Sequence, residues 1–482
     1  MQTNHTTQRA PLAWAICATS FGFTAVQLDV TIVNVALPSI ARDLHTNIAG
    51  LQWVVDAYTL AFAVLLLAAG VLGDRYGSRR AYLAGFTLFT LASVSCALAN
   101  DAVFLVAARV LQGVGAALLV PSSLALLSHA CAHDDRLRAR AVGLWTAAGG
   151  VSIAAGPVVG GLLLGSFGWR SIFWVNVPVC TVGILLSLYA LPEISRSTQP
   201  RALDPLGQLL AVLTMTGLTG AVIEGGHLGW SHPLVLAGFA IALLAGALFV
   251  IAEARNPAPM LPLAFFRLPN FSPAVIFGIL VNLTYYGVIF VLSLYLQQVR
   301  GYSPLRAGLA FLPLTATFIA SNVLSGWVSG HFGSRLPMII GALTGMLGFA
   351  WLSRLDQASA FIVMLPAFIL IPGGMGLGVP AMTSAILSSV KREWSGTASA
   401  VLNAARQMGG AMGVAAFGAL VVGQPTQIVI GLKIAALCSS ALLLAAAAVA
   451  WLGIGRVSRT SASGPAQLKL GQPGSPESGN GH

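Results

Sequence analysis

The chain has 482 residues, of which 56% are hydrophobic and only 8% are charged, and its mean hydropathy is +0.83. Soluble globular proteins carry about 25% charged residues, so the composition excludes a soluble domain and indicates a protein that crosses the membrane many times. A net charge of +11 would suggest nucleic acid for a soluble protein. In a membrane protein it indicates orientation and contact with anionic lipid, so we expect the bilayer and no nucleic acid as a partner.

The cysteines show no spacing typical of a disulfide or of a metal site, and we expect no metal ion. They are Cys17, Cys96, Cys131, Cys180 and Cys438. Polar residues up to Arg9 precede an apolar run that is too long for a cleaved signal peptide.

Fourteen apolar runs follow one another along the chain, and their lengths are those of transmembrane helices. The runs, numbered 1 to 14, cover residues 12–38, 51–73, 81–99, 102–128, 141–163, 168–191, 205–224, 233–252, 273–297, 304–328, 337–353, 360–388, 397–421 and 430–452. The last residues, rich in glycine, serine and proline, predict a disordered tail.

An even number of helices puts both termini on one side of the membrane. If that side is cytoplasmic, the inner loops and tails hold 17 of the 25 basic residues and the outer loops hold 5. Because cytoplasmic loops carry an excess of lysine and arginine, this distribution predicts that both termini are inside.

One stretch recurs in the two halves of the chain. Residues 70–80, GVLGDRYGSRR, have four identities with residues 326–336, GWVSGHFGSRL, after helices 2 and 10, and Pro121 in helix 4 corresponds to Pro380 in helix 12. Chance similarity of glycine-rich loops is the alternative. The shared order favours an internal repeat, which is a transporter architecture.

The repeat predicts an all-α integral membrane protein in which two helices separate two six-helix bundles. The expected divisions are a cytoplasmic N-terminus at 1–11, an N-terminal bundle at 12–191, linking helices 7 and 8 at 205–253, a C-terminal bundle at 273–452 and a disordered cytoplasmic tail at 453–482.

Three ionisable residues are predicted at one depth of the N-terminal bundle. Asp29 is 17 residues from the inner end of run 1, Asp56 is 17 residues before the inner end of run 2, and Arg109 is 19 residues before that of run 4. At 1.5 Å per residue, all three lie about 26–29 Å from the inner face. Charged groups inside a membrane are costly and usually serve a pathway.

Proton coupling is the chemistry that this set suggests. A nearby arginine favours an ionised acid and burial favours a neutral one, so moving a partner would switch Asp29 or Asp56. Arg109 stays charged and would tune the acids, with Gln112 and Gly113 on its helix face. The alternatives are a structural salt bridge and, for Asp56, a wet residue at the rim. Which acid carries the proton stays open.

Helix 5 carries a glycine face. Gly149, Gly156 and Gly160 fall within about 20° of one face, Gly161 follows, and Pro157 removes a backbone hydrogen bond. We expect a close, pliable contact between the two bundles; ordinary packing of small residues is the alternative.

The first inner loop combines glycines with charges. Its members are Gly70, Gly73, Asp74, Arg75, Gly77, Arg79 and Arg80. Such a cluster can latch the inner side closed in one state and release it in another; the alternative is a role in topology alone. No phosphate-binding loop is present, so we expect no ATP and no other cofactor.

The second half offers polar side chains and almost no acids within its helices. The candidate pocket residues are Asn282, Tyr285 and Tyr286 in helix 9 and Asn403, Arg406 and Gln407 in helix 13. They suit loose contact with a greasy substrate, and helix packing is the alternative. The role of Arg406 is unexplained at this stage.

These segments together resemble the major facilitator superfamily, and in particular its fourteen-helix drug:proton antiporter branch. The resembling segments are 28–38 in helix 1, the loop 70–80, 109–115 in helix 4, 149–161 in helix 5, 169–178, 262–271 and 301–308. They run in order from helix 1 to helix 10. The resemblance implies a multidrug efflux transporter of the plasma membrane that exports amphipathic, often cationic compounds against proton entry.

Four functions can be weighed on this basis. The first is a monomeric proton-driven exporter of drugs, and the second is an exporter dedicated to one endogenous metabolite. A receptor that does not transport would be expected to carry a folded soluble domain, and the longest segment outside the membrane is a polar tail of about 25 residues. A membrane enzyme finds no catalytic set, since His129 and His133 lack an acidic helical partner.

Overall fold

A computed structural model describes residues 12–131, 135–193, 203–257, 259–391, 394–421 and 425–455. The expected N-terminus at 1–11 and nearly all of the expected tail at 453–482 lie outside these residues. Within them the secondary structure is helical throughout, which confirms the predicted all-α class.

Fourteen long helices, here α1 to α14, correspond one to one with the fourteen predicted runs. The first eight are α1 Leu12–Asp43, α2 Ile48–Tyr76, α3 Ser78–Ala97, α4 Ala102–Ala130, α5 Asp135–Phe167, α6 Ser171–Ala190, α7 Pro205–Leu228 and α8 Pro233–Arg255. The others are α9 Phe271–Val299, α10 Pro304–Ala310 continued by Leu312–Phe332, α11 Arg335–Leu352, α12 Phe361–Ser389, α13 Ser395–Gly418 and α14 Pro425–Gly453.

Thirteen of these helices are, in the described part of the chain, long and apolar enough to cross a membrane. The exception is α13, whose 24 residues are rich in alanine and glycine and include Asn403, Arg406 and Gln407. It packs between α9 and α2. A helix covered by protein can carry polar groups that a lipid-facing helix could not.

Local chemistry sets the helix boundaries. Asp101 caps α4 by accepting a hydrogen bond from the Phe104 amide at 2.8 Å, which satisfies one of the free amides of the first turn. Gly77 separates α2 from α3 with φ +98°, a conformation that is easy only for glycine. This glycine lets the chain turn sharply in the predicted inner loop.

The helices form two bundles, α1 to α6 and α9 to α14, and α7 and α8 stand beside them. Trp53 in α2 donates to Glu224 in α7 at 3.1 Å, and Gln208 in α7 donates to the Val64 carbonyl of α2 at 3.0 Å. Helix α7 also packs against α13. Helix α7 therefore lies along one seam between the bundles, and α8 packs on α7.

The bundles are joined by hydrogen bonds at one end of the molecule. Gln52 donates to the carbonyls of Val414 and Ala415 at 3.0 and 2.8 Å. In the second seam, Ser293 donates to the Asn34 carbonyl at 2.6 Å and Gln297 donates to the Val35 carbonyl at 3.0 Å. These residues define the closed end, which lies opposite the ends of α1 and α14 that bear the chain termini.

Helices α5 and α10 complete the closed end by backbone contact. A Cβ atom on Gly161 would lie 2.8 Å from the Leu305 Cα, and one on Gly308 would lie 2.9 Å from the Pro157 carbonyl carbon. Neither glycine leaves room for a side chain. The two helices therefore cross with their backbones in contact, as small residues permit in membranes.

Candidate functional site

Asp29 and Arg109 form an ion pair inside the N-terminal bundle. Arg109 Nη1 donates to Asp29 Oδ2, which joins α4 to α1. The two side chains are 1% and 0% exposed. Two opposite charges withdrawn from water need further hydrogen bonds to be stable, and the surrounding residues supply them.

Three helices contribute these hydrogen bonds. The second Asp29 oxygen, Oδ1, accepts from Gln112 Nε2 at 2.8 Å and from Asn176 Nδ2 at 3.0 Å. Arg109 donates from Nε to the Val54 carbonyl at 3.0 Å and from Nη1 to Gln112 Oε1 at 2.8 Å. Both carboxylate oxygens are therefore bound by donors.

Two aromatic rings lie near the guanidinium of the ion pair. The Arg109 guanidinium carbon lies 4.2 Å from the Tyr58 ring centroid and 5.9 Å from that of Phe173. Gly113 makes the first contact possible, because a Cβ there would lie 2.8 Å from the Ala61 Cβ. The glycine thus lets α4 approach α2 closely enough for Tyr58 to cover the arginine.

Asn176 in α6 was not among the residues predicted from the sequence. It donates to Asp29 and, also at 3.0 Å, to Ser93 Oγ in α3. Ser93 in turn donates to the Phe173 carbonyl at 2.8 Å. The available signal was a lone amide in an apolar run, which is the same kind of signal that identified Asp29.

Asp56 lies apart from this network. Gln52, one turn before it, contacts α13, and Trp53 contacts α7. At 100° per residue, Asp56 lies between these two on the helix surface, while Val54 and Tyr58 face Arg109. Asp56 is 0% exposed, and neither carboxyl oxygen has a hydrogen-bond partner among the described residues.

A small cavity lies between the two bundles just inside the closed end. Helices α1, α2, α9 and α13 line it with Val30, Asn34, Val55, Thr59, Tyr286, Gln407, Gly410 and Val414. It therefore lies where transporter substrate sites are found, at the interface of the repeats. Two of the predicted pocket residues, Tyr286 and Gln407, are part of its wall.

The other predicted pocket residues are not part of the cavity wall. The Tyr285 ring meets the Tyr286 ring edge-on, with the centroids 5.4 Å apart. Asn282 donates to the Gly278 carbonyl of its own helix at 2.7 Å. Asn403 accepts from Arg406 Nη1 at 3.5 Å, a long hydrogen bond within α13.

The glycine face of α5 packs mainly within its own bundle, which differs from the expected inter-bundle contact. A Cβ on Gly149 would lie 3.0 Å from the Phe23 Cζ atom, one on Gly156 would lie 3.1 Å from the Ile32 amide nitrogen, and one on Gly160 would lie 2.9 Å from the Ile32 Cγ1 atom, all in α1. Helix α10 is instead contacted by Pro157 and Gly161. The two sets differ because they point to different sides of the same helix.

The charged loop after α2 contacts α6 of the same bundle. Arg79 donates to the Leu188 carbonyl at 2.9 Å, and Arg80 lies 3.5 Å from Glu193 in an ion pair in which both side chains are exposed. Gly77 donates to the Gly73 carbonyl at 2.9 Å, and a Cβ on Gly70 would meet open space. Arg75 lies over Tyr76, 5.9 Å from the ring centroid. Arg79 and Arg80 of the predicted latch therefore tie the start of α3 to the end of α6.

Comparison with known proteins places this arrangement in a family. The family model described as Major Facilitator Superfamily matches residues 19–414. The methylenomycin A resistance protein of Streptomyces coelicolor is 39% identical over 411 residues, which are 85% of each chain. The multidrug resistance protein Stp of Mycobacterium tuberculosis is 38% identical over 405 residues, 84% of this chain and 75% of that protein.

A solved structure shows the same fold. It is described as that of the human organic anion transporter MFSD10, and it matches 92% of this chain and 100% of its own with a TM-score of 0.63. At 13% identity the likeness concerns the fold alone. Together these matches confirm the resemblance seen in the sequence: the chain belongs to the major facilitator superfamily, as a multi-pass plasma-membrane transporter of small molecules related to drug-efflux and antibiotic-resistance proteins.

Proposed function

We propose that the protein exports amphipathic small molecules from the cell in exchange for protons. The observation that carries the proposal is the position of Asp29. It is sealed inside the N-terminal bundle with Arg109, while the next residue, Val30, lines the cavity between the bundles. Two consecutive residues of α1 thus belong to the buried ion pair and to the candidate substrate site.

Protonation of Asp29 would weaken three sets of contacts together. A neutral carboxyl group no longer balances Arg109, and its protonated oxygen accepts hydrogen bonds less readily, so Gln112 and Asn176 lose a strong acceptor. Five residues along the same helix, the Asn34 carbonyl accepts the bond from Ser293 that holds the closed end. Helix α1 therefore offers a direct mechanical route from proton binding to the contact between the bundles.

The predicted orientation gives this conformation a place in the transport cycle. With both termini in the cytoplasm, the closed end faces outward and the cavity belongs to an inward-facing state. The ion pair between Asp29 and Arg109 then corresponds to the stage after the proton has been released inside. Substrate would be taken up from the cytoplasm or the inner leaflet at this stage.

Asp56 is the second candidate for a proton site. Burial without a hydrogen-bond partner penalises the ionised form of a carboxyl group. Its helix face meets α13 beside Gln52, so opening of the closed end would expose it to a new environment. We propose that Asp29 binds the proton first and that the environment of Asp56 changes when the bundles separate.

The relatives support export of drugs, and some of them indicate a narrow range. The methylenomycin A resistance protein and the tetracenomycin C resistance and export protein of Streptomyces glaucescens are each named for one antibiotic. An exporter dedicated to a single compound is therefore the second candidate. We further propose that the protein works as a monomer and needs no cofactor beyond the proton gradient, while the preference for cationic compounds stays a prediction from the sequence.

Efflux from vesicles tests the proposal. The purified protein in proteoliposomes with an imposed pH gradient should move a fluorescent amphipathic compound, and a protonophore should stop this movement. Efflux that continues unchanged without the gradient would contradict proton exchange. Efflux rates of a series of compounds that share one chemical scaffold and differ in size would distinguish a broad exporter from a dedicated one.

A further inference from the structure

Arg406 lies in the middle of α13 without a carboxylate partner. It is 11 residues from Ser395 and 12 from Gly418, so it is about 16–18 Å from either end of the helix. Among the described residues, Nη1 donates to Asn403 Oδ1 at 3.5 Å, and Nε has no hydrogen-bond partner. No ion pair with Arg406 is found in the described part of the chain.

The C-terminal bundle has no acid that could serve as that partner. Between residues 271 and 453 the sequence contains two, Asp356 and Glu393. Asp356 lies in the loop between α11 and α12 and forms an ion pair with Lys433 of α14. Glu393 is outside the described residues, and the helix from Ser395 to Arg406 is about 16 Å long.

The unpaired guanidinium of Arg406 contrasts with that of Arg109 in α4. Arg109 is neutralised by Asp29 and is 1% exposed. Charges inside a membrane protein normally pair or face a water-filled cavity, because an uncompensated charge is costly. In this conformation no described carboxylate pairs with Arg406, Asp56 of the facing helix α2 included, which leaves the Arg406 charge available to a bound molecule.

Arg406 lies on α13 beside the cavity between the bundles, whose lining includes its neighbour Gln407 but not Arg406 itself. It is partly exposed although it lies at mid-depth, and Gln407 and Gly410 on the same helix line the cavity wall. A Cβ on Gly278 of α9 would lie 3.3 Å from the Arg406 Cγ atom, so the stem of the side chain packs on α9. By contrast, Asp29 and Asp56 are 0% exposed and are closed to a substrate cation in this conformation.

We propose that Arg406 anchors an acidic substrate, namely an amphipathic compound with one carboxylate group. The planar guanidinium matches a carboxylate through two parallel hydrogen bonds. The apolar body of the compound would lie towards Tyr286 and the small residues of α13. The inference rests on the proposed export function and refines its substrate class from cationic to acidic.

Two probes of equal body and opposite charge test this assignment. 1-Pyrenebutanoate and (1-pyrenebutyl)trimethylammonium would be titrated against the purified full chain in lipid nanodiscs, with binding read by fluorescence anisotropy. The wild-type chain should prefer the carboxylate. Arg406→Gln should weaken carboxylate binding by at least about tenfold, the scale of a charge-assisted hydrogen bond, and should change ammonium binding by less than about twofold.

Two further variants guard the experiment against loss of the fold. Arg406→Lys keeps the charge and should still prefer the carboxylate, with an affinity between those of the wild type and Arg406→Gln. Arg306→Gln removes an exposed arginine of the same bundle and should change neither affinity. If Arg406→Gln fails to fold, the proposal requires that the wild type bind the carboxylate probe more tightly than Arg406→Lys does. The two proteins should then bind the ammonium probe equally.

Equal affinity of the wild type for both probes, or equal loss of both in Arg406→Gln, would overturn the inference. The binding assay uses no gradient, so it is separate from the test of export. Carboxylate binding without gradient-driven efflux would refute proton exchange and leave the acidic substrate standing. Protonophore-sensitive efflux of the ammonium probe and not of the carboxylate probe would support proton exchange and refute the acidic substrate.

Discussion

Arg109 holds Asp29 while its Nε donates to the Val54 carbonyl 3.0 Å away, so one guanidinium joins α1, α2 and α4. The same carboxylate binds α6 through Asn176. Four of the six helices of the N-terminal bundle therefore meet at one ion pair. A change in the charge of Asp29 acts on all four, which is the basis of the first two predictions.

Asp29→Asn should abolish efflux driven by a pH gradient. The amide keeps the size of the side chain and can accept a hydrogen bond, but it cannot exchange a proton at physiological pH. Gradient-driven efflux and exchange of substrate in the absence of a gradient would both be measured in proteoliposomes. We expect loss of the first and retention of the second, and full gradient-driven efflux would refute the coupling role.

A double variant separates coupling from folding in that experiment. Asp29→Asn alone leaves the Arg109 charge uncompensated, a change that costs about 3–5 kcal/mol when a buried pair is broken. Asp29→Asn combined with Arg109→Gln removes both charges and should recover thermal stability. Efflux should stay absent in the double variant, because the proton site has gone.

Arg109→Ala should lose transport, and Arg109→Lys should restore it only in part. A lysine supplies the charge but lacks the planar fork that serves Asp29, Gln112 and the Val54 carbonyl at once. Initial efflux rates at equal protein density would check this order. Wild-type rates in Arg109→Ala would show that the arginine is dispensable for the transport cycle.

Gly161→Ala should shift the protein away from the conformation that is closed between α5 and α10. The added methyl group would lie 2.8 Å from both the Leu305 Cα and the Pro304 carbonyl oxygen, and backbone atoms there cannot move aside locally. Spin labels would replace Arg42 and Arg306, which are exposed residues of opposite bundles. The fraction of molecules with a long distance between the two labels should increase.

Gly150→Ala is the matched control for that variant. Gly150 lies on the same helix, and a Cβ there meets no atom within 4 Å. It should therefore leave the distance distribution and the efflux rate as in the wild type. Equal distributions in both variants would mean that the contact between α5 and α10 does not set the conformational equilibrium.

Gln52→Leu should weaken the closed end in the seam between α2 and α13. It removes the hydrogen bonds to the Val414 and Ala415 carbonyls at 3.0 and 2.8 Å. At about 1 kcal/mol for each bond, the equilibrium between closed and open states should change by roughly 5- to 30-fold. The same pair of spin labels measures this change, and an unaltered distribution would exclude a role for Gln52 in closure.

The sequence determined the number and order of the helices. Apolar runs of membrane length leave the backbone no alternative to helix, because its polar groups must be satisfied within the segment. Helix α13 was predicted in the same way, because only a few polar residues interrupt its apolar run. Counting residues also gave Asp29 and Arg109 similar depths, because helical rise is constant.

Only the tertiary structure decided which residues of equal depth meet. Depth fixes the height of a side chain in the membrane, whereas its partner depends on how each helix is rotated and which helices are neighbours. Rotation turns Asp56 to the side of α2 that meets α7 and α13, so it does not contact Arg109. Rotation likewise turns three of the α5 glycines to α1, and it places Asn176 beside Asp29, a carboxylate that lies far away in the sequence.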